Sequence, residues 1–144
     1  MHHRKLRQIV ADQDLLHVES TTYIDKVAKL MTARNVAAVL VIDDNELKGI
    51  FTERDLLRRV VAGGLNPADT LIRDVMSGSV VTLDADNLGF EAVALMIELS
   101  IRHVVVQGLD DGRFGIVSIR DFALSELSTF EKEIEFEKQV WSSI

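Results

Sequence analysis

Apolar positions in this chain change period in the same order twice. Ile24, Val27, Ala28 and Met31 fall at helical spacing, and so do Leu88, Ala92, Val93, Leu95, Met96 and Leu99. A β-branched run follows each, Val39 to Ile42 and Val104 to Val106. A polar turn comes next, Asp43 to Glu46 or Gly108 to Arg113, then a second short strand, Leu47 to Phe51 or Phe114 to Val117. Each set is preceded by a short extended piece, Leu15 to Val18 or Val80 to Leu83. The polar segments Glu19 to Thr22 and Asp84 to Asn87 offer helix N-caps. Thr52 and Ser118 each open a further helix. The pattern predicts β-α-β-β-α, twice, an α+β fold.

The two copies align residue by residue. Leu30, Met31, Val39 and Val41 recur sixty-five positions on as Leu95, Met96, Val104 and Val106. Gly49, Ile50, Arg54 and Asp55 recur sixty-six positions on as Gly115, Ile116, Arg120 and Asp121. The one-residue difference falls in the turn between the two strands, where a duplication tolerates it. A unit of roughly 50 residues buries little area by itself, so the copies are expected to pack as a pseudo-two-fold pair. The expected boundaries are 9–62 for the first repeat, 63–75 for a linker with the only Pro, 76–127 for the second repeat and 128–144 for a helical extension.

Composition narrows the function. The chain has 144 residues, 16 basic and 23 acidic, for a net charge of −7. That balance argues against a nucleic-acid partner and leaves room for a local basic pocket. With no Cys, thiolate metal sites and Cys nucleophiles are excluded. No apolar run is long enough for a membrane span and no signal peptide stands out, so a cytoplasmic protein is the expectation. His2 and His3 lie at the chain start, and His17 and His103 have no ligand spacing to one another, so no metal site is expected. No nucleophile elbow or P-loop occurs, and no catalytic residue is expected.

Gly49-Ile-Phe-Thr-Glu-Arg-Asp55 and Gly115-Ile-Val-Ser-Ile-Arg-Asp121 resemble the closing motif of the cystathionine-β-synthase (CBS) domain, usually found in tandem pairs called Bateman modules. Arg73-Asp-Val-Met76 resembles the lead-in to a second such repeat. The resemblance covers roughly residues 9 to 127. It implies a non-enzymatic regulatory module binding AMP, ADP, ATP or NAD in the cleft between repeats, with homodimers forming a disc of four repeats. Two readings of the motif stand side by side. Ser/Thr and an acid three residues later form a capping box, which needs no ligand. The same turn presents free N–H groups to a phosphate and a carboxylate to a ribose.

By the resemblance, Asp55 and Asp121 hold ribose, and Thr52 and Ser118 hold phosphate. Arg102 and His103 stand where the first copy has Ala37 and Ala38, which favours the second motif for phosphate. Arg54 and Arg120 lie inside the motifs. The adenine slot is expected from Ala11 to Leu16, with Asp14, Leu15 and Leu16, for the second motif. Met76 to Val80, with Ser77, Gly78, Ser79 and Val80, serves the first. Ile50, Ile116 and Val104 flank the ring. The competing expectation is a ligand-independent dimerisation module with vestigial sites.

The C-terminal stretch carries Leu127, Phe130, Ile134, Trp141 and Ile144 on one helical stripe, with Phe136 and Val140 beside it. Such a helix either packs over Leu6, Ile9 and Val10 or meets a partner protein. Leu56, Leu57 and Val60 are expected to close the dimer. The basic start (Arg4, Lys5, Arg7) and acidic end (Glu126, Glu131, Glu133, Glu135, Glu137) either solvate two helices or meet across subunits.

Overall fold

A computed structural model describes residues 4–142; His2, His3 and Ile144, named above, lie outside them. The elements follow in the expected order. A short helix α1 (Leu6–Ile9) precedes β1 (His17–Val18), α2 (Ile24–Arg34), β2 (Ala38–Asp43), β3 (Glu46–Thr52) and α3 (Glu53–Asp55), which continues as a π-helical turn over Leu56–Val61. The second set is β4 (Thr82–Asp84), α4 (Gly89–Leu99), β5 (His103–Gln107) and β6 (Gly115–Ser118), a 3-10 turn over Ile119–Asp121, and a long helix α5 (Leu124–Ser142).

Two three-stranded sheets result, ordered β1-β2-β3 and β4-β5-β6. In each, the first pair is parallel and the second antiparallel. The registers repeat as the aligned residues do. Leu40 faces Ile50 and Val41 faces Gly49; Val105 faces Ile116 and Val106 faces Gly115. The first hairpin closes on Asp44 and Asn45, both at positive φ, a conformation Asp and Asn tolerate and a tight hairpin favours. The second hairpin takes the longer turn, with Gly108 and Gly112 at positive φ.

The contacts divide the chain into two compact units that do not follow chain order. One spans Asp14–Val80; the other joins residues up to Gln13 with those from Val81 on. Each has its own buried cluster. Val18, Ile24, Val27, Met31, Val39, Val41, Phe51, Val60 and Ile72 fill the first. Leu6, Val10, Val93, Met96, Val104, Val106, Val117, Phe122 and Phe130 fill the second. Helix α1 therefore belongs with the second repeat, and the segment around Ile72 and Val75 with the first.

Several local expectations are corrected. The N-caps of α2 and α4 are Tyr23 and Leu88, neither with a side-chain cap bond, rather than residues of the polar segments before them. Asn87 still contributes: its side chain accepts from the Asp84 N–H at 2.9 Å and donates to Glu91 at 2.6 Å. Ser118 opens only a single 3-10 turn, because Phe122 returns to an extended conformation and sinks into the core before α5 begins. Val60 is wholly buried and closes no dimer; its neighbours Leu57 and Val61 face out, 62% and 63% exposed.

The C-terminal stripe divides along α5. Phe130 is buried, edge-on to Phe90 and Phe122 at 5.9 and 5.8 Å, and Leu127 packs against the same cluster. The first part of the helix therefore packs within the second repeat's core, against α4 and Phe122. Further along, Phe136 is 66% and Trp141 76% exposed. The basic start is consumed locally. The Arg4 guanidinium pairs with Glu126 at 3.0 Å, and Arg7 pairs with Asp86 at 2.8 Å and Asp110 at 3.3 Å. No helix among the described residues is long and apolar enough to cross a membrane.

Phe130→Ala is expected to cost about 3–5 kcal/mol in urea denaturation, as a buried aromatic truncation does, and Phe136→Ala less than about 0.5 kcal/mol. A second expectation concerns pH. The Arg7 hydrogen bond holds the Asp86 carboxyl below its ordinary value. The stabilisation is therefore present above that ordinary value and is lost as pH falls through the lowered one. The protection of the Leu6 and Arg7 amides, whose N–H groups donate to the carbonyls of Asn87 and Ala85, measured as exchange relative to the intrinsic rate at each pH, should fall on acidification in the native chain and less so in Arg7→Gln.

Candidate functional site

Both Thr/Ser-x-x-Asp motifs lie where the last strand of a sheet runs into a helical turn. Strand geometry delivers the Ser or Thr in extended conformation, with φ near −120° in both copies, so its own N–H points back along the turn. The acid three residues on then reaches that N–H. The Asp55 Oδ2 accepts from the Thr52 N–H at 2.9 Å, and the Asp121 Oδ2 accepts from the Ser118 N–H at 2.7 Å.

Beyond that shared bond the copies differ. In the first, the box is reciprocal: the Asp55 N–H donates to Thr52 Oγ1 at 3.3 Å, and that hydroxyl lies 3.2 Å from Asp55 Oδ2. Asp55 is only 17% exposed, and its other oxygen sits 3.7 Å from Arg59 Nε. In the second, the same box is laid out but looser: the Ser118 hydroxyl faces the Asp121 N–H without closing a cap hydrogen bond, and Asp121 is exposed, its Oδ1 without a bonding partner among the described residues. The first motif satisfies itself. The second leaves a hydroxyl and a carboxylate oxygen open.

The basic residues sharpen this difference. Arg102 is exposed just before β5, and its guanidinium has no partner among the described residues; its carbonyl accepts from the Ile119 N–H at 3.2 Å, which ties it to the motif turn. His103 is half-buried as the first residue of β5, facing Ser118 in register. Arg120 and Arg54 are exposed. The 3-10 turn after Ser118 is too short to add a helix dipole, so an anion there would rely on backbone N–H groups and these guanidiniums. Among the described residues no cluster of His, Asp or Glu is arranged to hold a metal ion.

The segments expected to line the base slot meet the outer edge of the third strand in each repeat. In the first, Ser77 and Ile50 exchange backbone hydrogen bonds of 3.0 and 2.9 Å. Met76 and Ser77 cross directly over Gly49, where a Cβ would lie 2.6 Å from Met76 Sδ and 2.7 Å from the Ser77 carbonyl. That contact is why a glycine opens the motif. Gly78 and Ser79 are exposed, and Val80 half-buried. In the second repeat Val10 covers Gly115 in the same way, 3.0 Å from a built Cβ. Gln13, not an extended backbone, reaches Ile116. Asp14, Leu15 and Leu16 belong to the other unit: Asp14 pairs with Arg34 at 3.1 Å, and Leu16 is buried in the first repeat's core.

Two residues at these motifs are not singled out by the sequence. Arg59 donates to the carbonyls of Val75 and Met76 at 3.1 and 2.9 Å, pinning the crossing segment beside Asp55. Its position, one helical turn beyond Asp55, was a legible signal. Gln13 carried none.

Comparison with known proteins agrees with this architecture. An uncharacterised protein of Methanopyrus kandleri is 32% identical over 130 residues, 88% of this chain and 66% of that one. A meiotically up-regulated protein of Schizosaccharomyces pombe is 42% identical over 103 residues, 69% of this chain but 14% of that one. The chain thus spans less than two thirds of the length of these relatives. A signal-transduction protein with CBS domains from Burkholderia ambifaria superposes with a TM-score of 0.75 at 29% identity, over 82% of this chain and 90% of its own. A CBS domain protein of Pyrobaculum aerophilum complexed with AMP gives 0.77 at 23% identity, over 90% and 99%. A CBS domain pair in complex with 5′-methylthioadenosine and S-adenosyl-L-methionine gives 0.72 at 24%, over 86% and 98%. With the CBS domain profile matching residues 6–62 and again 72–126, the chain belongs to the CBS domain family and carries two of its repeats in tandem.

Proposed function

We infer that this chain is a non-enzymatic regulatory module that binds an adenosine nucleotide of the AMP, ADP, ATP or NAD type and alters a partner in trans. The observation that carries the reading is the open second motif. A carboxylate oxygen of Asp121, the Ser118 hydroxyl and the Arg102 guanidinium have no side-chain partner among the described residues. Together they supply what a ribose phosphate needs: an acceptor for ribose hydroxyls, and donors for phosphate oxygens. Arg120 and His103 flank the phosphate. Ile116 flanks the base. The AMP and S-adenosyl-L-methionine complexes of other CBS domain proteins support a ligand of this class.

The first motif is the weaker site. There Thr52 and Asp55 spend their capacity on each other, and Arg59 neutralises the carboxylate. Thr52, Arg54 and Asp55, with Ser77, Gly78, Ser79 and Val80, form a second place for a nucleotide at higher concentration. The alternative, a ligand-independent dimerisation module, fits this motif better than the other. A ligand switches the module only through a difference in affinity between two states.

Leu57 and Val61, one turn apart and exposed, are the surface we assign to a homodimer of four repeats. Phe136 and Trp141 on α5 are the surface we assign to a protein partner.

Titration calorimetry of nucleotide-stripped protein should show saturable AMP binding, weakened roughly 100-fold by Asp121→Ala and less than about threefold by Asp55→Ala, since charge-assisted bonds contribute most of the anchoring. No binding of AMP, ATP or NAD would leave the dimerisation module as the surviving reading. Leu57→Asp with Val61→Asp is expected to halve the mass seen in light scattering; an unchanged mass removes that surface from the dimer.

A further inference from the structure

In the second repeat the outer edge of β6 is closed by a side chain. Ile116 pairs with Val105 on one side, and its own N–H and C=O point the other way. Gln13 takes both. Its Nε2 donates to the Ile116 carbonyl at 2.8 Å, and its Oε1 accepts from the Ile116 N–H at 2.9 Å. Backbone polarity leaves no choice of orientation, because the N–H must donate and the carbonyl must accept. At the equivalent Ile50 the same two groups bond to the Ser77 backbone. That partner is part of the main chain and cannot leave by a rotamer change. Gln13 can: it is half-buried, and the chain behind it is held by Arg113, which donates to the Val10 and Ala11 carbonyls at 3.3 and 3.2 Å. Releasing the carboxamide frees the strand edge without unseating the segment.

The pair of groups that Gln13 presents has a chemical counterpart. Adenine carries an N6–H donor beside an N1 acceptor, the same neighbouring donor and acceptor as a carboxamide. A 6-oxopurine carries them in the reverse order. Ile116 also lies at a suitable distance from the rest of the proposed site. It precedes Ser118, whose N–H holds the ribose-binding Asp121, by two residues on one strand, about 7 Å by strand rise, comparable to the span from a ribose to the far edge of its base.

Resting on the nucleotide reading above, we propose that Gln13 is an internal stand-in for the adenine edge, holding the Ile116 backbone until a 6-aminopurine nucleotide displaces it. Gln13 is thus a gating residue of the second site, while the Ile116 N–H and carbonyl read the base. It keeps the strand edge satisfied when no base is bound, since a bare edge group is costly, and it sets a threshold that the base must exceed. The first repeat, with its main-chain bridge, has no such threshold and no such readout of the base.

The test is calorimetry of the nucleotide-stripped full chain with AMP and with IMP, for the native protein, Gln13→Ala and Gln13→Glu. Gln13→Ala removes both bonds and should bind AMP roughly tenfold more tightly, whereas Gln13→Glu loses only the donor to the Ile116 carbonyl, keeps an acceptor for the Ile116 N–H, and should gain less. IMP affinity should stay below that of AMP in all three. Native AMP binding with unchanged or weaker binding in both variants overturns the proposal and leaves the nucleotide reading intact. Absence of AMP binding in all three removes both. Should the variants fold poorly, the native chain decides: the Gln13 side-chain amide resonances should move on saturation with AMP, and resonances that stay in place overturn the proposal.

Discussion

The outer edge of the third strand organises each half of this molecule. A three-stranded sheet ends on a strand whose N–H and C=O groups face away from their neighbours, and those groups must be satisfied. At Ile50 a crossing segment supplies backbone bonds; at Ile116 a side chain does the same. Bringing the segment that close leaves no room for a Cβ at Gly49, and little at Gly115. The glycine that opens each motif, the strand that carries it and the turn that follows are thus consequences of one satisfied edge.

From that shared frame the copies diverge in chemistry. Their strand registers coincide, yet the first motif closes on itself while the second stays open. The difference lies in few atoms. Asp55 is shielded, bonded by Thr52 and flanked by Arg59, whereas Asp121 is exposed beside Arg102 and Arg120. Helix continuity contributes as well. The π-helical turn carries the first motif on into Leu56–Val61, whereas Phe122 leaves the helix to fill the core beside Phe130. A duplicated fold thereby keeps one self-satisfied turn and one free to take a ligand.

Much of the fold was legible because periodicity and duplication reinforced each other. Helices α2 and α4 and the paired strands follow from apolar spacing alone, and the extra residue in the second hairpin was placed correctly in its turn. Local capping was less legible: Tyr23 and Leu88 start their helices by backbone geometry, which no residue preference announces. The return of Phe122 to extended chain was hidden too, since a long run without Gly or Pro reads as uninterrupted helix. Along α5 a single stripe could not show where packing ends, because Phe130 and Trp141 share it and only Phe130 meets the core. At the motifs the acids and hydroxyls were plain, whereas the Gln13 bond to Ile116 depends on a chain reversal that joins residues 103 apart.

The most direct measurement is a nitrogen-15 correlation spectrum followed through a titration with AMP. The inequality of the motifs predicts that the amides of Ser118 to Asp121 shift first and saturate at lower concentration than those of Thr52 to Asp55. Shifts that begin at Thr52 to Asp55, or none at either turn, would contradict it.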